Sequence, residues 1–214
     1  MRKKPNLTSR MELRSNLLIE TPEEFRAFKN GGLCESPEMR LEIGCGKGRF
    51  TVDIAEQNPN VLFTAVEKAQ NALVTAMEKA SARNTENIRF ISGDFSKVFP
   101  VFGDGEIGII YINFCDPWNK NRHAERRLTA PRFLKIYGRL LPVGGEIHFK
   151  TDDLSLFRYS LAQLEANGWQ TEDITFDLHK NGPADIMTDY EAKFYAEGIK
   201  INRCVGVRTA AVLL

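Results

Sequence analysis

The 214-residue chain contains no apolar run near the ~20 residues that a membrane-spanning helix requires. Its opening residues, MRKKPN, are basic but are not followed by the apolar stretch of a secretion signal, so a cytoplasmic protein with no membrane role is expected. Cysteine is scarce. Cys34, Cys45, Cys115 and Cys204 are scattered, with no CxxC pair and no histidine at zinc spacing, which excludes a disulfide framework and a structural metal; free thiols and no bound metal are expected. An excess of either charge is also missing, since 29 Lys and Arg stand against 28 Asp and Glu. There is no internal repeat and no low-complexity segment, which excludes solenoids and biased tails.

What is present is a chain with 43% hydrophobic residues, long enough to bury one good core. Three regions are expected: a basic, partly ordered extension over 1–35, a main domain over 36–208, and a short tail over 209–214 to which no role is assigned. The near-zero net charge hides local surpluses. MRKKPNLTSRMELR and KNRHAERRLTAPRFLKIYGR are strongly basic, so a polyanion remains a possible partner.

In the extension, TPEEFRAF carries a helix start, with Thr21 as N-cap, Pro22 in the first turn and acids behind it. From residue 39 onward, buried-strand patterns alternate with helical ones. MRLEIGC, VLFTAVE, NIRFIS, EIGIIYINF, GEIHFK and WQTEDITFDL read as strands. GRFTVDIAEQN, KAQNALVTAMEKASARN, APRFLKIYGRLL and DLSLFRYSLAQLEANG read as helices among them. Such alternation means βαβ units, hence an α/β, Rossmann-like fold with a mostly parallel sheet of about seven strands and helices on both faces. The final IKINRCVGVR alternates apolar with polar residues and is expected to enter antiparallel near an edge.

Two constellations carry chemistry. LEIGCGKGRF places Gly44, Gly46 and Gly48 after a strand and before a helix, where a chain can turn sharply and approach a ligand closely. A dinucleotide loop, G-x-G-x-x-G, would need its third glycine at Arg49, so that fingerprint is incomplete. Glu42 before the glycines, Glu67 ending VLFTAVE and Asp94 in ISGDF follow successive strands, at the sheet edge where α/β proteins bind ligands. Each acid alone reads as a solvated or capping residue. Together they suit S-adenosylmethionine, with Glu42 facing the ammonium, Glu67 the ribose hydroxyls and Asp94 the adenine amino group.

The second constellation is NFCDPWNKNRHAERR. Pro117 biases Asp116 away from helix and holds its carboxylate at a strand exit, and Trp118 offers an aromatic face; Asp-Pro by itself is a good turn dipeptide. Seven basic residues, Lys120, Arg122, Arg126, Arg127, Arg132, Lys135 and Arg139, then follow with Glu125 as the single acid, as a nucleic-acid backbone contact would require.

LEIGCGKG, NFCDPW.K.RH..RRL, GEIHFKTD and MTDYEAKF together resemble the bacterial tRNA (guanine-N7)-methyltransferases over about residues 39–208. The resemblance implies a class I methyltransferase that uses S-adenosylmethionine to methylate guanine 46 in the tRNA variable loop, giving 7-methylguanosine. It implies that Glu42, Glu67, Asp94 and Asp116 contact the cofactor and that Asp116 is catalytic. By the same resemblance, Lys120, Asp152 and Thr188, Asp189, Tyr190 and Glu191 bind substrate, and Arg122, His123, Arg126 and Arg127 contact RNA, in a monomer or homodimer. Asn119 stands where the family often has proline.

Local readings accompany these roles. Lys150, Thr151 and Asp152 close a strand and suit a base or phosphate, while Asp152 could equally cap the following helix. Thr188 and Glu191 form a capping-box pattern. His148 and His179 read as structural or solvated. The alternatives are a methyltransferase for an exocyclic amine, nucleophilic attack by Cys115 on a pyrimidine, an NAD-dependent dehydrogenase, and a non-catalytic RNA-binding module.

Overall fold

The computed structural model describes residues 6–33, 38–183 and 186–212, and for Asn121 the backbone alone. Cys34, the basic residues at positions 2 to 4 and the last two residues of the tail lie outside the described residues. The strands form one sheet of seven in the order β3-β2-β1-β4-β5-β7-β6. The chain divides into two compact units at Phe102/Gly103.

The first unit contains α1 (Leu7–Glu12), α2 (Pro22–Lys29), β1 (Glu38–Ile43), α3 (Arg49–Gln57), β2 (Val61–Glu67), α4 (Gln70–Ala82), β3 (Ile88–Ser92) and α5 (Phe95–Val98). β1 and β3 flank β2 in parallel, with Glu42 level with Ala65 and Glu67 level with Ser92. VLFTAVE is buried at every position but its first, as a parallel strand covered on both faces must be. α2 begins as its sequence dictates: Thr21 Oγ1 accepts from the Glu24 amide and Glu24 returns the bond, a complete capping box behind Pro22. The residues around it pack onto this unit. Ile19 donates its amide to Phe90 O at 2.8 Å, Phe25 meets Phe102 edge-on at 5.0 Å, and Arg10 forks onto Glu78 at 2.7 and 2.6 Å.

The second unit contains β4 (Ile109–Asn113), α6 (Pro131–Leu140), β5 (Glu146–Thr151), α7 (Leu154–Ala166), β6 (Gln170–Thr175), α8 (Asp189–Ala196) and β7 (Asn202–Val207). β4 and β5 run parallel, and β7 inserts antiparallel between β5 and the edge strand β6. The last strand thus enters as its alternating pattern requires. β6 is largely exposed and slips register between Glu172 and Thr175, where Asp173 sits at φ 49°; a charged, kinked edge resists pairing with other chains. Among the described residues no helix is long and apolar enough to cross a membrane.

Candidate active site

The glycine loop leaves β1 through three left-handed residues, Gly44, Gly46 and Gly48, at φ 84°, 57° and 73°. They serve different ends. A side chain on Gly44 or Gly46 would meet only open space, so there the backbone conformation alone demands glycine. At Gly48 a Cβ would lie 2.6 Å from Ala76 Cβ, so this glycine lets α3 approach α4.

Acids shape the same loop. Glu67 Oε2 accepts from the Gly46 amide at 2.9 Å and Oε1 from the Ala69 amide at 2.7 Å. A carboxylate has about four acceptor positions, so Glu67 holds the loop and keeps capacity for a ligand's hydroxyls. Glu42 is buried, with Thr51 Oγ1 donating to it. Burial pushes the Cys45 thiol well above its ordinary range, and the charges of Glu42 and Glu67 push it further. The carboxylates of Glu42 and Glu67 beside the loop favour a cationic ligand over a pyrophosphate. Asp94 is the N-cap of α5 and accepts from the Ser96 amide at 2.9 Å and its hydroxyl at 2.6 Å. The Ser96 hydroxyl, more than the backbone, holds the Asp94 carboxyl below its usual value. The acids expected at three strand exits are therefore in place, two of them with structural duties as well.

In the second unit, Asp116 follows β4 and is exposed. Its turn is bracketed by two left-handed residues that are not glycine, Phe114 at φ 52° and Trp118 at φ 46°. Each costs about 1–3 kcal/mol and persists only where surroundings over-determine it. Phe114 donates its amide to Lys150 O at 2.9 Å and packs its ring against Phe194 at 5.8 Å and Tyr190 at 6.4 Å. Burial first, and Asp116 next, push the Cys115 thiol up to about 12, which disfavours its thiolate.

The basic string divides by direction. Lys120, Arg122 and Arg126 are exposed; the Arg126 guanidinium lies 5.0 Å from the Trp118 ring centre, and His123 meets that ring edge-on at 5.7 Å. Arg127 does not face outward as a phosphate contact must. It is 9% exposed and donates to the Pro117 and Trp118 carbonyls at 3.1 and 3.2 Å. The string alone carried no sign of this inward turn.

The remaining candidates also sort themselves. Asp153, not Asp152, caps α7 by accepting from the Leu156 amide at 2.7 Å, which leaves Asp152 exposed. Thr188 caps α8 with Glu191 in a complete capping box. Glu191 is fully buried and takes the Lys150 ammonium at 3.2 Å, with His179 Nε2 at 3.1 Å. A carboxylate so engaged anchors the start of α8 to β5, and Lys150 is correspondingly tied down. Asp189 and Tyr190 remain on the surface, Tyr190 at 63% exposure. Among the described residues no group of three His, Cys, Asp or Glu side chains could hold a metal ion.

Residues 36–204 match a protein family described as "Putative methyltransferase". Of the curated relatives, the tRNA (guanine-N(7)-)-methyltransferase of Clostridioides difficile (strain 630) is 45% identical over 167 residues, 78% of each chain. The protein of the same name from an Exiguobacterium species is 38% identical over 208 residues, 97% of each chain. Solved structures share the fold at much lower identity. The 16S rRNA methyltransferase KamB has a TM-score of 0.68 at 14% identity, over 89% of this chain and 95% of its own. A 16S rRNA (adenine(1408)-N(1))-methyltransferase variant from Catenulisporales acidiphilia, solved with the cosubstrate SAM, has a TM-score of 0.65 at 16% identity, over 89% and 92%. With a family match across most of its length and relatives near 40% identity over whole chains, this protein belongs to the tRNA (guanine-N(7)-)-methyltransferase family.

Proposed function

We propose that the protein transfers a methyl group from S-adenosylmethionine to N7 of guanine 46 in the variable loop of tRNA, giving 7-methylguanosine, and that it does so in the cytoplasm. The 45% identity to a curated enzyme of that name carries the reading. The carboxylate-lined glycine loop supports the cofactor class. Glu42 suits the ammonium, Glu67 the ribose and Asp94 the adenine amino group, while Gly44 and Gly46 leave room beside the backbone. S-adenosylmethionine, when bound, supplies a methyl group activated by a positively charged sulfur.

Guanine N7 carries an in-plane lone pair and no proton, so the protein need not supply a general base there. Methylation places positive charge on the purine and makes its remaining N–H groups more acidic. A carboxylate that accepts from them binds the developing cation better than the neutral base, and that difference lowers the barrier. Asp116, on its strained turn, is assigned this role, together with a share in cofactor binding. Lys120, Asp152, Thr188, Asp189 and Tyr190 are assigned to the substrate, with Glu191 fixing the helix start that presents the last three. Arg122, His123 and Arg126 are assigned to RNA phosphates.

The test is incubation of the protein with methyl-labelled S-adenosylmethionine and bulk tRNA, followed by nucleoside mapping. Label in 7-methylguanosine at position 46 is expected. Label in an exocyclic-amino nucleoside would replace the reading with the amine alternative, and RNA binding without label would make the protein a binding module. Arg126→Ala should make the slope of log tRNA affinity against log salt shallower by about 0.7–0.9.

A further inference from the structure

We infer that Arg127, one of the basic residues that sequence reading assigns to RNA, is instead a positioning residue that holds the Asp116 turn in its reactive shape. The inference rests on the role proposed for Asp116. Three observations converge. Arg127 as a residue is 9% exposed, and its Nε and Nη2 reach two successive carbonyls, of Pro117 and Trp118, directly after Asp116. Those carbonyls belong to a turn whose ends, Phe114 and Trp118, are both left-handed, so something outside the turn must hold it. Arg127 is itself seated: its guanidinium carbon lies 4.3 Å from the Tyr159 ring centre.

Tyr159 belongs to α7, and the next residue repeats the connection, since Ser160 Oγ and Thr129 Oγ1 are 2.8 Å apart and both buried. Rigid support therefore runs from α7 through Tyr159 to Arg127, and from Arg127 to the backbone that aims Asp116. The fork geometry matters. A guanidinium presents two parallel donors to two carbonyls while laying its flat face on a ring, and lysine can do neither. The neighbouring Arg126 is exposed over Trp118 and remains available to a phosphate. Two adjacent arginines thus act on opposite sides of one turn, the first toward RNA and the second toward the fold.

Arg127→Lys and Arg126→Ala should be compared in three measurements: the salt dependence of tRNA binding, the single-turnover methylation rate at saturating tRNA and S-adenosylmethionine, and acrylamide quenching of Trp118. The last is read in a Trp169→Phe background, because the chain has two tryptophans and Trp169 is buried. Arg127→Lys is expected to lower the saturated rate roughly 10- to 100-fold, as small misplacements of a reacting group do, with the salt slope unchanged and Trp118 more readily quenched. Because lysine keeps the charge, the salt slope is read in Arg127→Gln as well: a slope shallower by about 0.7–0.9 there, with rate and quenching unchanged in both variants, would make Arg127 a phosphate contact and overturn the proposal. Should Arg127→Lys fail to fold, Tyr159→Leu removes the platform and keeps the arginine. The same pattern is expected, partly restored in Tyr159→Phe, which keeps the ring but loses the phenol's hydrogen bond with Arg127, and wild-type rate and quenching in Tyr159→Leu would overturn the proposal. Quenching is measured without RNA or cofactor. A wild-type protein that never methylates tRNA would therefore defeat the proposed function, while Trp118 still decides whether Arg127 holds the turn.

Discussion

Two loops leave parallel strands through left-handed backbone, and they meet that requirement in opposite ways. The loop after β1 uses glycine at all three left-handed positions and pays no steric cost. The turn after β4 uses Phe114 and Trp118, keeps their side chains and accepts the strain. The first loop is held by a carboxylate, Glu67, at the Gly46 amide; the second by a guanidinium, Arg127, beneath two of its carbonyls. A ligand cradle needs open backbone, which glycine supplies. A turn that keeps Phe114 and Trp118 at left-handed positions needs tertiary contacts to hold it in place.

The largest effect should come from separating charge from shape in the second loop. Asp116→Asn keeps the turn and removes the carboxylate, and the single-turnover rate should fall roughly 10²- to 10³-fold, as losses of electrostatic stabilisation do, with tRNA affinity much less affected. Rapid-quench methylation and filter binding measure the two. Near-normal turnover would remove Asp116 from the chemistry. A tRNA carrying 7-deazaguanine at the target should bind and not be methylated, since it lacks the acceptor nitrogen.

Within the glycine loop, packing and backbone can be told apart. Gly48→Ala forces a methyl group into Ala76 and should cost about 1–3 kcal/mol for overpacking, in addition to about 1–2 kcal/mol for the left-handed backbone. Gly44→Ala should bear only the second cost. Urea denaturation compares them, and equal losses would mean that the approach of α3 to α4 has nothing to do with Gly48.

A smaller change is expected at Glu67→Gln. The amide retains one acceptor but turns a donor toward the amide of Gly46 or Ala69, so S-adenosylmethionine affinity by calorimetry should drop roughly tenfold. Unchanged affinity would confine Glu67 to holding the loop. The smallest effect concerns the Asp94 cap, whose loss in Asp94→Ala should cost about 0.5–2 kcal/mol near neutral pH. Its folded value lies below the ordinary 3.8, so the contribution is complete above that pH and fades as acid protonates the folded carboxylate. Wild type and variant should converge in stability toward pH 3 and below, and a gap that persists there would mean the residue acts by packing.

Where a signal spans a few residues, the sequence shows it directly. VLFTAVE is β2 to the residue, Thr21 caps α2 as read, and the capping box at Thr188 and Glu191 forms as read. β7 enters antiparallel beside β5, as expected of the last strand, and the glycines and acids stand at the strand ends where the pattern puts them. The direction of a long side chain is another matter. Arg126 and Arg127 are neighbours of the same type, yet one is exposed and the other buried, because Arg127 finds Tyr159, 32 positions away. Lys150 and Glu191, both read as facing a substrate, neutralise one another across 41 positions. Asp152 reads equally as a cap for α7 or as a substrate contact, and the backbone geometry gives the cap to its neighbour Asp153 instead.

The sequence by itself determined the alternation of strands and helices, the glycine loop, the acids at the strand exits and the family, because periodicity, caps and short motifs are written in adjacent residues. Only the tertiary structure decided which charges are partners and which are instruments. A charge is buried or presented according to what the distant chain brings beside it, and the desolvation that burial exacts is met only where such a partner arrives.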